Sequence, residues 1–175
     1  MGKNTDTTTI MTFTTSTLYY ILKTARPRQW IKNLALYAAL IFSGFFFYQP
    51  TDAPAYFATV SYAFFVFCIL TSSIYFINDI VDYEADKQHP FKKKRPIASG
   101  QLSVRYAKFV AVLGLITTAL FAYQLSPFFQ ILAVCYVILQ ILYSKIFKNI
   151  PILDVVSIAT GFLIRIYAGS VVVNL

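Results

Sequence analysis

The chain has 175 residues, of which 58% are hydrophobic and 13% charged, and its mean hydropathy is +0.63. The apolar residues come in long blocks rather than stripes, which excludes an ordinary soluble domain and marks an integral membrane protein. The formal net charge of +8 is confined to particular loops, so it reads as membrane topology and not as a nucleic-acid surface.

Residues 1–17 are threonine-rich and polar, lack the pattern of a signal peptide, and are expected to form a disordered tail. Residues 18–175 form the transmembrane helical domain, with 18–22 beginning a short interfacial helix. The segment 23–33 is basic and carries the single tryptophan, Trp30. It serves either as a membrane-surface anchor or as a phosphate-binding segment, because both need these residue types. A first span is predicted over 31–48, followed by a base-free turn at 49–54 and a second span over 55–77, a run of 23 uncharged residues. Lys108 and Lys145 bracket 36 uncharged residues that the break at 124–127 divides into a third and a fourth span. A fifth opens at 149–151. The fold class is therefore all-α, a polytopic membrane bundle of about five transmembrane helices.

Fourteen of the fifteen Lys and Arg residues fall in the N-terminal segment, the 78–108 loop or the 145–148 turn. The positive-inside rule then places the N-terminus and the 78–108 loop on the cytoplasmic side of the plasma membrane. Lys92, Lys93 and Lys94 are open to two readings, topology and phosphate binding. Cys68 and Cys135 lie in apolar blocks and read as small buried hydrophobes, with no disulfide or zinc spacing. His89 reads as a loop residue.

Four of the seven acids, Asp79, Asp82, Glu84 and Asp86, fall within eight residues directly after the second span. At about 100° per residue, Asn78, Asp79, Asp82 and Asp86 share an arc of roughly 100°, with Glu84 on the other side. Three carboxylates on one face repel one another unless a cation sits among them, and an oxygen-only ligand set favours Mg2+. His89-Pro90 ends the helical pattern, so the block Lys92 to Arg95 can fold back over the same mouth. A metal with bases points to phosphate. In the last span, Arg165 carries a charge that requires a partner or a cavity. Asp154, eleven residues earlier, lies on nearly the same face. The pair is either a polar contact with another helix or, the reading favoured here, part of the cavity containing the acids. Gly161 and Gly169 read as close-packing positions.

Asn78-Asp79-x-x-Asp82-x-x-x-Asp86, followed by Arg95-Pro96-Ile97 and Gly100, resembles the first aspartate-rich motif of the UbiA superfamily of intramembrane transferases. Within it, the segment from Arg26 to Asn33 is similar to the opening of decaprenyl-phosphate phosphoribosyltransferases, as are Tyr143-Ser144, Lys148, Asp154, Gly161, Arg165 and Gly169. The resemblance covers about residues 23–170. It implies a longer bundle with a second aspartate-rich motif in its later half. The chain is thus expected to be the N-terminal part of such an enzyme, completed by a separate C-terminal half or by a homo-oligomer.

The resemblance further implies Mg2+-dependent transfer of a phosphoribosyl group from 5-phosphoribosyl diphosphate to a polyprenyl phosphate. In that reading Asp82 and Asp86 are catalytic, and Asn78, Asp79, Asp82 and Asp86 hold Mg2+. Arg28, Lys32, Lys94, Arg95, Tyr143, Lys148, Asp154 and Arg165 bind substrate. Two alternatives stand beside it. One is a prenyltransferase that moves a polyprenyl group from its diphosphate to an aromatic acceptor. The other is a non-catalytic membrane subunit or inactive fragment, its acids and bases serving topology and helix contacts.

Overall fold

A computed structural model of the chain describes residues 16–175. The expected polar tail lies outside the described residues, apart from Ser16 and Thr17, which open helix α1 (16–25). A 3-10 segment, Pro27–Tyr37, then leads into the short helix α2 (Ala38–Phe42). The helices α3 (Tyr56–Val81), α4 (Tyr83–Gln88), α5 (Val104–Ala122), α6 (Pro127–Lys145) and α7 (Pro151–Val171) complete the bundle, with no strand among the described residues. Four helices, α3, α5, α6 and α7, are long and apolar enough to cross a membrane.

The starts of the later helices follow from local chemistry. Ser103 and Ser126 cap α5 and α6 by accepting from the amides of Tyr106 and Phe129, which satisfies backbone donors that the helix itself leaves open. Pro127 and Pro151 occupy the first turn of α6 and α7, where the missing N–H costs nothing. Along the outward faces of these helices large apolar side chains stand exposed, among them Phe109, Ile116, Ile131, Ile138, Val155 and Leu163, as a lipid-solvated surface allows. Cys135, expected to be buried, is exposed on α6, whereas Cys68 is buried on α3. The uncharged run around Cys135 gives no inward face by which to choose.

The first span differs from the expected 31–48 helix. It starts at Pro27 with eleven residues of 3-10 helix and ends with the five residues of α2. A 3-10 helix rises about 2.0 Å per residue against about 1.5 Å for an α-helix, so this stretch still reaches roughly 30 Å, a bilayer's hydrocarbon thickness. Its three-residue repeat stacks every third side chain, and Trp30, Asn33 and Leu36 use that edge. Trp30 Nε1 donates to Ser72 Oγ at 3.0 Å. Asn33 Nδ2 donates to Thr71 Oγ1 at 3.2 Å and to Cys68 Sγ at 3.3 Å. Leu36 is fully buried. Polar contacts along α3 thus select the tighter coil.

Helix α3 is the centre of the bundle. Val60, Ala63, Phe67, Leu70 and Ile74 pack with Leu36, Leu40, Phe129, Tyr136 and Ala168 from its neighbours. A second cluster, Phe76 with Ile97, Leu102, Ala107 and Ala111, pins the loop before α5 against α3, and α1 packs on it through Tyr20 and Ile21. That loop turns at Gly100, whose φ of +79° suits glycine.

Helix α7 approaches the 3-10 segment at Gly169, where an added Cβ would overlap the carbonyl of Leu36. Gly169→Ala is expected to destabilise the purified chain by about 1–3 kcal/mol, because a backbone carbonyl cannot rotate away. At Gly161 an added Cβ meets its nearest neighbour, Arg165 Nη1, at 3.4 Å, so Gly161→Ala should fall within about 1 kcal/mol of the unaltered chain. Thermal unfolding in detergent separates the two, and equal midpoints would contradict the packing at Leu36.

Candidate functional site

The acidic motif straddles the junction of α3 and α4. Asp82 sits between the helices with φ −84° and ψ 3°. Its amide still bonds the Asn78 carbonyl at 2.9 Å, and the Asp86 amide bonds the Asp82 carbonyl at 2.8 Å. Helical rotation therefore continues through the break, and the shared arc divides in two. Asp79 and Asp86, seven residues apart, lie within about 20° of one line; Asn78 and Asp82 lie about 40° apart on its other flank.

The two halves meet different partners. Asp79 and Asp86 are each only 2% exposed. Asp79 Oδ1 accepts from Arg26 Nη2 at 2.5 Å and from Arg95 Nη1 at 3.2 Å, and the same Arg95 nitrogen donates to Asp86 Oδ2 at 2.6 Å. Buried charges require this pairing. Arg26 holds a left-handed backbone, φ 53° and ψ 57°, a conformation costing a non-glycine residue on the order of 1 kcal/mol or more. The ion pair to Asp79 and stacking of its guanidinium over Tyr75, 4.9 Å from the ring centroid, hold it there. Glu84, on the opposite side, pairs with exposed Lys87 at 3.4 Å.

Asn78 and Asp82 instead face a cavity of about 390 Å3 bounded by the 3-10 segment, α3, α6, α7 and the loop after α4. Six bases line it, Arg26, Lys32, Lys92, Arg95, Lys148 and Arg165, against one acid, Asp82. Lys148 Nζ donates to Asp82 at 3.3 Å. Hydroxyl and amide groups of Tyr75, Tyr136, Gln140, Tyr143, Ser144 and Ser157 supply most of the remaining wall, with Ile158 and Phe162 as its apolar members.

Arg165 is 6% exposed. Its Nε donates to Asn33 Oδ1 at 2.9 Å, Nη1 to the Gly161 carbonyl at 2.7 Å and Nη2 to Tyr136 Oη at 2.6 Å. The rings of Tyr136, Phe162 and Phe67 lie 4.8, 5.5 and 5.8 Å from the guanidinium carbon. No carboxylate pairs with it among the described residues. The charge of this buried guanidinium, held by neutral groups, is therefore directed at the cavity that it lines.

Of the residues expected from the sequence, Asn78, Asp82, Lys32, Arg95, Tyr143, Lys148 and Arg165 line this cavity, and Asp79 and Asp86 stand behind its wall. Three placements are corrected. Arg28 and Lys94 are exposed and do not line the cavity; Arg26 and Lys92 do. The left-handed turn at Arg26 and the 3-10 turn Lys92–Lys94 reverse the choice within each basic block. Asp154 is not on the cavity wall either: it sits beside Tyr143, and its Oδ1 is buried without a hydrogen-bond partner among the described residues. Tyr136 and Gln140, which no motif singles out, form an i, i+4 polar stripe with Ser144 on α6, and Ser157 and Arg165 flank Gly161 at the same spacing on α7.

Mg2+ characteristically binds through one or two carboxylates together with phosphate oxygens and water. Asn78 and Asp82 meet that requirement, and no group of three His, Cys, Asp or Glu side chains converges as a cage among the described residues. The donor set fits a cation carried in on a phosphorylated ligand.

Residues 35–174 match the model of the UbiA prenyltransferase family. The chain is 39% identical over 158 residues to the decaprenyl-phosphate phosphoribosyltransferase of Mycolicibacterium smegmatis, covering 89% of this chain and 48% of that protein. It is 35% identical to the enzyme of the same name from Mycobacterium tuberculosis, covering 86% and 50%. The chain thus spans about half the length of the curated relatives it matches. A UbiA homologue from Archaeoglobus fulgidus, solved with DMAPP and Mg2+, superposes with a TM-score of 0.72 at 23% identity, over 89% of this chain and 55% of the other. That likeness shows the fold.

Arg165→Lys keeps the charge but loses the fork that spans Asn33 and Tyr136. It is expected to weaken binding of 5-phosphoribosyl diphosphate, which carries a second phosphate, by about tenfold or more. Arg28→Ala and Lys94→Ala should leave that affinity within about twofold. Isothermal titration of the detergent-purified chain checks all three.

Proposed function

The chain belongs to the UbiA prenyltransferase family, and we propose that it provides the donor-binding part of a site for phosphoribosyl transfer. The donor is 5-phosphoribosyl diphosphate and the acceptor a polyprenyl phosphate in the membrane. The observation that carries this reading is the set of polar groups that converge on the cavity: six bases together with the amide of Gln140 and the hydroxyls of Tyr143, Ser144 and Ser157. A polyhydroxylated donor with separate phosphates suits such a wall. An isoprenyl donor would require an apolar channel leading from the diphosphate. The names of the curated relatives agree with the first.

In this reading Arg26, Arg95, Lys92 and Lys148 bind the diphosphate, with the forked guanidiniums giving orientation as well as charge. Arg165, deeper in the cavity, takes a second anionic group, and Gln140, Tyr143 and Ser144 orient the sugar hydroxyls. Asn78 and Asp82 hold Mg2+, which when bound neutralises charge on the departing diphosphate. The bond from C1 of the ribose to the diphosphate oxygen breaks with oxocarbenium character, and the acceptor phosphate oxygen forms the new bond to C1. That phosphate is already anionic at neutral pH, so it needs no general base, and no histidine lines the cavity. Arg26, Lys92, Arg95 and Lys148 gather in the turns at one end of the bundle, and the positive-inside rule assigns that end to the cytoplasm.

The test is binding of 5-phosphoribosyl diphosphate and of a prenyl diphosphate to the purified chain in detergent, with Mg2+ or with a chelator. Mg2+-dependent preference for the ribosyl donor is expected, and Asp82→Asn should remove the Mg2+ dependence while leaving membrane insertion intact. Preference for the prenyl diphosphate would replace this reading with prenyl transfer. Binding of neither by the folded chain would overturn the donor-site assignment.

A further inference from the structure

Helix α1 turns an apolar face outward. Tyr20, Ile21 and Ala25 pack on the second cluster, and Thr24 is buried with its hydroxyl donating to the Tyr20 carbonyl at 2.8 Å. At about 100° per residue, Leu18, Tyr19, Leu22 and Lys23 leave the other side of the helix within an arc of about 140°. Leu18, Tyr19 and Leu22 are 56, 58 and 52% exposed. Lys23 stands over Tyr19, its Nζ 5.9 Å from the ring centroid. An exposed apolar face edged by a base is the pattern of a helix that lies in the plane of a bilayer surface.

The first turns of α5 rest on the same cluster through Val104, Ala107 and Val110. Opposite Ala107, the side chains of Arg105, Lys108, Phe109 and Val112 point outward within an arc of about 100°, and all four residues are exposed. From there to its end α5 carries no charge, and Leu113, Ile116 and Leu120 continue the exposed apolar surface. Bases that give way to hydrocarbon side chains within two turns mark the headgroup level of a bilayer. Lys23, Arg105 and Lys108 pair with no carboxylate among the described residues, and none of them lines the basic cavity.

We propose that α1 and the first two turns of α5 form a docking surface for the headgroups of anionic phospholipids. Lys23, Arg105 and Lys108 meet the headgroup phosphates, and Leu18, Tyr19 and Leu22 enter the upper acyl region. A neutral lipid supplies the hydrocarbon without the net charge, and a soluble phosphate supplies the charge without the hydrocarbon. The surface is separate from the cavity and independent of its reading. Because α1 runs directly into Arg26 and the 3-10 segment, a headgroup layer that holds α1 also sets the height at which the first span enters the bilayer.

The test titrates the chain, purified in a neutral detergent, with phosphatidylglycerol or phosphatidylcholine of the same acyl chains and reads bound lipid by native mass spectrometry. The first phosphatidylglycerol is expected to bind at least about fivefold more tightly than phosphatidylcholine. Lys23→Gln, Arg105→Gln and Lys108→Gln together should reduce that preference to less than about twofold. Lys87→Gln, Lys93→Gln and Lys145→Gln remove the same charge from other exposed positions and should leave the preference within about twofold of its original value. Equal losses in the two triple variants would make the preference a matter of net charge and overturn the proposal. A preference that survives the first triple variant and disappears in Arg165→Lys would put the headgroup in the cavity, with the same consequence. So would binding of glycerol phosphate as tight as that of the lipid, or a dimer that the first three substitutions dissociate. If that triple variant fails to fold, Leu22→Trp adds a tryptophan to the outward face of α1. In vesicles of phosphatidylglycerol brominated high on the acyl chain its added emission should be quenched, and unquenched emission would overturn the docking of α1.

Discussion

A carboxylate buried at the edge of a bilayer is tolerated when a base is held against it, and Asp79 and Asp86 impose that requirement on everything around them. Arg26 comes from the turn before the 3-10 segment, Asp79 from the end of α3, Asp86 from α4 and Arg95 from the loop that leads to α5. Four separate stretches of chain are thereby tied at one point. The hydrophobic anchors Ile97 and Leu102 hold the loop down beside the network, so Arg95 reaches the acids with its backbone already fixed. Apolar burial brings the loop close, and charge decides its orientation.

The opposite imbalance exists deeper in the bundle. Arg165 is buried among Asn33, Tyr136, the Gly161 carbonyl and three aromatic rings, all of them neutral. Asn33 suits this position because its amide donates to α3 and accepts from α7 through different atoms. One side chain in the 3-10 segment thus couples the central helix to the last one. The cavity consequently has an arginine–aspartate network of no net charge at its acidic end and, at Arg165, a cation with no carboxylate partner among the described residues.

The family match and the fold agree on the kind of helical bundle that this chain forms. The chain corresponds to about half the length of its curated relatives, and that half carries the whole of the acidic motif and the bases that answer it. The outward faces of α5, α6 and α7 are apolar and uncharged over long stretches, so the bundle presents its polar chemistry inward and its hydrocarbon outward.

Much of this was legible in the residues. Blocks of apolar residues marked the spans, the break at 124–127 separated two of them, and the rotation of 100° per residue put Asn78, Asp79, Asp82 and Asp86 on one arc, because these are properties of a chain and its immediate neighbours. What lay opposite each side chain was not legible. Arg26 meets Asp79 across 53 residues, and Asn33 meets Arg165 across 132. Helical periodicity specifies the direction in which a side chain leaves its own axis and says nothing of which helix stands there. Only the tertiary structure could choose Arg26 over Arg28 and Lys92 over Lys94, set Asp154 off the cavity wall, and draw the first span into a three-residue repeat. Each of those choices is made by a partner distant in sequence, whose position depends on the packing of the whole bundle.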